Sequence, residues 1–161
     1  MPRGRPVQLV ESVPISMFPR SGYGRTFVYA VAFKGGVVKV GISKTPRSRI
    51  RDHWKRGAGE VEWVHLFAPM HRRTAKLAEQ SAVEKLKGIG DQVNHSEWFM
   101  CQADRQAVIT VIRKCIEDSR RHMQNLFAEQ AALQAKKSRV AEALRDAGFE
   151  DEADWYSSYR Y

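Results

Sequence analysis

The sequence predicts an α+β fold, a small mixed domain followed by a long helical extension. Three observations carry this reading. A hairpin stands out where two strand-like runs flank Lys34-Gly35-Gly36. Strand and helix patterns then alternate as far as residue 101, in the order β-β-α-β-α-loop-β. Beyond that, from Ala103 to about Leu144, there is neither Gly nor Pro.

The elements follow in order. Residues 1–25 hold four of the six prolines and no apolar periodicity, so they predict an extended basic arm. Thr26-Phe27-Val28-Tyr29-Ala30-Val31-Ala32-Phe33 is aromatic and β-branched and reads as a strand. The two glycines supply the positive φ angles of a tight turn, and Val37-Val38-Lys39-Val40-Gly41-Ile42 returns as the second strand. Ser43 or Thr45 can cap a helix with Pro46 in its first turn, running to about Arg56 and ended by Gly57-Ala58-Gly59. Val61 to Phe67 reads as a third strand. Arg72 to Leu86 reads as a helix with Ala75, Ala78, Ala82 and Leu86 on one stripe. A loop with Asn94 and His95 leads to a short apolar segment, Glu97 to Cys101, in which Trp98 and Phe99 belong to the core. Trp54 and Trp63 are expected in the core as well.

In the extension, 102–161, Val108, Ile109, Ile112 and Ile116 form an apolar face expected to pack on the domain. Ile112, Ser119, Leu126, Leu133 and Val140 are seven apart, but the partner positions hold Gln130 and Lys137. That makes a poor coiled-coil seam, leaving a homo-oligomer through this helix open. Gly148 fits a helix stop. The aromatic end, Trp155 to Tyr161, either stacks on bases or packs back on the helices.

Charge and composition narrow the function. The net charge of +9 divides as +3 for residues 1–25 (four basic, one acidic), +6 for 26–101 (thirteen and seven) and zero for 102–161 (ten and ten). A basic domain suits a polyanionic partner, although solubility charge alone explains the sum equally well. No run approaches a membrane span, and no apolar segment follows the basic N-terminus as in a secretory signal. The chain is expected in a reducing cytoplasm, with Cys101 and Cys115 as buried thiols.

The predicted first helix concentrates the charge. From Lys44 to Arg56 there are six Lys/Arg and one acid, Asp52. Arg49 and His53 share a face, with Arg56 a turn further. An Arg that forks onto phosphate oxygens beside a His that exchanges protons suits a phosphodiester. A solvated basic face would read the same.

Taken together, Phe27-Val28-Tyr29, Lys39-Val40-Gly41, Arg49, Glu79 and Asn94 resemble the GIY-YIG nuclease superfamily. Val38 to Ser43 with Glu97-Trp98-Phe99 is most similar to its branch from tailed phages and bacteria. The resemblance covers about 75 residues. It implies a domain over 26–101 with a three-stranded antiparallel sheet flanked by helices. It also implies a metal-dependent endonuclease acting on DNA, with RNA left open, in the cytoplasm of a bacterium or phage-infected cell.

Residue by residue, the resemblance puts Tyr29 beside the attacking water as general base or its relay. Lys39 stands where the wider family has a second tyrosine. Arg49 stabilises charge on the phosphate, and His53 matches a histidine one turn after it. Glu79 holds a single divalent metal, Mg²⁺ or Mn²⁺, with Glu84 as the rival candidate. Asn94 matches the asparagine after the second helix. Lys44, Arg47, Arg51, Arg56 and Asn94 position the nucleic acid. Val83 stands where this branch often has a His. The alternative is a nucleic-acid-binding module of the same fold with little or no turnover.

Overall fold

The computed structural model of the chain describes residues 25–89, 91–92, 98–100 and 104–158. The arm at 1–24, Asn94, His95, Glu97, Cys101 and the last three residues therefore lie outside the described part.

The α+β expectation holds. The elements are β1 (Arg25–Phe33), β2 (Val37–Ser43), α1 (Pro46–His53), a π-helical turn (Trp54–Ala58), β3 (Val61–Leu66), β4 (Met70–His71), α2 (Arg72–Lys87), β5 (Asp91–Gln92), β6 (Trp98–Met100), α3 (Arg105–Asp146) and α4 (Glu150–Ser158). The sheet is larger than three strands. It runs β3-β1-β2-β6-β5, with β4 also paired to β1, and every pairing is antiparallel. The added strands β4 and β5 are two residues long, too short to leave an alternating pattern in the sequence.

The hairpin forms as its glycines demand. Gly35 and Gly36 take φ +102° and +82°, and the Gly36 N–H donates to the Phe33 carbonyl at 3.2 Å. Thr45 takes the N-cap position of α1 without a side-chain capping bond, while Ser43 Oγ accepts from the Thr45 N–H at 3.0 Å. The His71 ring accepts from the Arg73 N–H at 3.3 Å and so caps α2.

Strand alternation sends side chains to two faces. Val28, Ala30 and Ala32 of β1 and Val38 and Val40 of β2 join Ala75, Ala78, Ala82 and Leu86 of α2. Val108, Ile109, Ile112, Cys115 and Ile116 of α3 complete that core, as the apolar face in the sequence predicts. The Arg105 guanidinium sits 5.7 Å over the Trp63 ring, tying the start of α3 to β3. On the other face Tyr29, Val31 and Phe33 pack with Val64 and with Ile50 of α1. The sheet thus lies between α1 on one side and α2 with the start of α3 on the other.

The chain divides into two compact units, residues 1–120 and 121–161. In the second, Gly148 takes φ +84° and donates to the Arg145 carbonyl, while Phe149 N–H reaches Leu144. This pair of bonds is the expected helix stop. Arg145 then pairs with Asp154 of α4 at 2.9 Å, and Ala141 and Ala153 are buried. Leu126, Phe127, Leu133 and Trp155 are exposed. No helix among the described residues is long and apolar enough to cross a membrane.

Candidate active site

The site grows from the β1–β2 hairpin. Cross-strand pairing sets Tyr29 opposite Gly41 and Val31 opposite Lys39, so Tyr29 and Lys39 project from the face that α1 covers. Tyr29 is 1% exposed and Lys39 5%. A tyrosine ring needs room beside a strand, and Gly41 provides it. A Cβ on Gly41 would lie 2.5 Å from Tyr29 Oη and 2.6 Å from its Cζ.

Helix α1 brings the histidine. Pro46, Ile50 and His53 form its buried stripe at i, i+4, i+7. His53 is 8% exposed, and its Nε2 lies 3.2 Å from the Tyr29 hydroxyl, the hydrogen bond a buried phenol requires. Burial and then the charges of Lys39, Arg49 and Arg56 hold the His53 pKa down at about 4, only partly offset by Asp52. The imidazole is therefore neutral at neutral pH, so one of its ring nitrogens carries no proton and acts as a hydrogen-bond acceptor.

Those same interactions show which expected residues come together. Tyr29, Lys39, Arg49, His53 and Arg56 form one cationic cluster around a neutral histidine. Arg49 and Arg56 are exposed at its rim, and Lys44, Arg47 and Arg51 are exposed along the same segment. Glu79 is half-buried on α2, the helix layer of the opposite face. Its rival Glu84 pairs with Lys87 at 2.7 Å near the surface. Val83 is partly buried against the α2–α3 core. Among the described residues no three His, Cys, Asp or Glu side chains cluster as a metal cage would.

Trp54 corrects an expectation. It follows Ile50 by four residues and was expected in the core, yet it is 44% exposed. The buried stripe runs through His53 instead, which leaves the next residue about 100° away around the axis. Sequence reasoning also gave no role to the bare backbone of Gly41, although a glycine inside a strand is itself a sign of close approach.

A family model described as the T5orf172 domain matches residues 26–119. The chain belongs to the T5orf172 family. No curated protein and no solved structure matches it. The T5orf172 match begins on β1, contains every site residue named above and takes in the first part of α3. The T5orf172 family is related to GIY-YIG-like, nuclease-type domains, so a nuclease-like or DNA-binding module is the class of function it supports.

Proposed function

We propose that the chain is a metal-dependent endonuclease of the GIY-YIG type that hydrolyses phosphodiester bonds in DNA. The observation that carries this reading is the Tyr29–His53 pair, buried at 3.2 Å and ringed by Lys39, Arg49 and Arg56. Three cations around a neutral proton acceptor suit an anionic substrate that must lose or gain a proton as it reacts.

In the proposed chemistry Tyr29 Oη donates to His53 Nε2 and accepts from a water aligned with the phosphorus. As the water oxygen bonds to phosphorus, its proton passes to Tyr29 and the tyrosine proton to His53. The bond from phosphorus to the leaving nucleoside oxygen breaks, and that oxygen takes a proton from solvent. Lys39 and Arg49 hold the non-bridging oxygens, where charge accumulates. Glu79, on α2, is the carboxylate that would hold a divalent cation, Mg²⁺ or Mn²⁺, and such an ion would supply charge neutralisation to a phosphodiester. Lys44, Arg47, Arg51, Arg56 and Asn94 position the strand through its backbone.

A histidine with a pKa near 4 is a weak base; burial, the largest cause, stays when substrate binds, but the charges that add to it are offset. A phosphodiester anion among Lys39, Arg49 and Arg56 offsets the charges that depress His53, so its basicity rises when DNA is in place.

A second reading keeps the binding and drops the turnover. Lys39 replaces a phenol, and the core position of Val83 leaves no histidine near Glu79 on that turn. Supercoiled plasmid separates the two. The first reading expects nicking with Mg²⁺ or Mn²⁺, none with EDTA, none by Glu79→Ala, and a loss of roughly a hundred- to a thousandfold in Arg49→Ala. Salt-sensitive DNA binding without cleavage in any metal would select the second.

A further inference from the structure

Helix α1 has a third face, whose arginines the proposed hydrolysis uses only to hold the strand and whose tryptophan it does not use. Pro46, Ile50 and His53 are buried, and Arg49, His53 and Arg56 line the flank toward Lys39. On the other flank Arg47, Arg51 and Trp54 follow one another at i, i+4, i+7, and all three are exposed. Trp54 keeps helical backbone angles, φ −58° and ψ −47°, so it continues that row directly. The π-helical turn that begins there carries Lys55 and Arg56 beyond it. Among the described residues no ion pair neutralises Arg47 or Arg51. The one acid of the segment, Asp52, lies off this row and is half-buried.

An exposed indole at the end of a row of exposed guanidinium groups is the arrangement that grips a single strand, cations on the phosphates and an aromatic face under the base. In an intact duplex both faces of each base are covered by its neighbours, so only an unpaired or extruded nucleotide can reach such a face. We infer that Arg47, Arg51 and Trp54 form a platform for an unpaired nucleotide of the same strand whose phosphate is held at the Tyr29–His53 site. This rests on the reading of that site as one for nucleic acid, and it narrows the substrate class. The chain acts on strands that are single, gapped, branched or locally opened, in preference to continuous duplex.

The test uses the full chain in EDTA, so that binding is read without cleavage, and two DNA oligonucleotides of one sequence. One is fully paired. The other has a short gap that leaves 2-aminopurine unpaired, a base whose fluorescence falls when it stacks. The gapped DNA is expected to bind at least about tenfold more tightly than the paired one, with its 2-aminopurine quenched. Trp54→Ala should weaken gapped binding by roughly ten- to a hundredfold and abolish the quenching, leaving paired binding unchanged. Trp54→Phe, which keeps a π face, should retain most of both.

Bright 2-aminopurine in the complex with the unaltered chain would overturn the inference without recourse to any variant. So would equal affinity for the two DNAs that Trp54→Ala does not change, and in that case the nucleic-acid site itself would stand. Failure to bind either oligonucleotide would remove both readings.

Discussion

Gly41 is the smallest residue of the site and one of the most constrained. Tyr29 is buried across from it and cannot swing out, so an added methyl must push the ring or part the strands. Gly41→Ala is expected to cost about 1–3 kcal/mol in denaturant unfolding and to draw the Tyr29 hydroxyl off His53. An unchanged midpoint would mean that the ring has room the packing does not suggest. His53 gives a second prediction at this scale. It must be neutral to accept a proton, so activity falls as pH drops through its pKa. In free protein that pKa is about 4, and bound phosphate raises it. The acid limb of kcat is therefore expected at higher pH than that of kcat/KM, which follows the free enzyme. Coincident limbs would show that the cations around His53 are not what the substrate neutralises. That Tyr29, Lys39, Arg49 and His53 gather in one place was legible through the resemblance and, for Arg49 and His53, through the one helical turn between them. Trp54 was not. Its spacing from Ile50 suits burial, and only the choice of His53 for the buried stripe turns it outward.

The elements show where local pattern suffices and where it fails. The hairpin, α1, β3 and α2 were readable because each has its own period and its own stop, as with Lys34-Gly35-Gly36 or the alanine stripe of α2. Strands β4 and β5 were not, because two residues have no period and exist only through their partners β1 and β6. Helix α3 crosses from one compact unit into the other, and its role changes on the way. Val108, Ile112 and Cys115 are fully buried in the sheet's core, whereas Leu126 and Leu133 further along are exposed. A chain ending at residue 120 is therefore expected to keep the cooperative unfolding of the domain. One ending at 101 removes five core side chains from a single face, several times the 2–5 kcal/mol of one large-to-small core change, and is not expected to fold. Cooperative melting of the shorter fragment would contradict the place given to α3.

At the scale of the molecule, charge and chemistry coincide. The surplus of +6 belongs to residues 26–101, and its densest run surrounds the Tyr29–His53 pair, while residues 102–161 sum to zero. On the proposed reading, long-range attraction draws a polyanion toward the domain that holds the Tyr29–His53 pair. In the proposed mechanism one pair of atoms, Tyr29 Oη and His53 Nε2, turns that attraction into hydrolysis. Its most direct test is single-turnover cleavage of DNA by Tyr29→Phe beside the unaltered chain, at protein concentrations that saturate binding. The phenyl ring keeps the packing over Gly41 and removes only the hydroxyl. Binding is expected to be unchanged and the cleavage rate lower by roughly a hundredfold or more. Cleavage at the rate of the unaltered chain would mean that the Tyr29–His53 pair holds the fold together and the chemistry lies elsewhere.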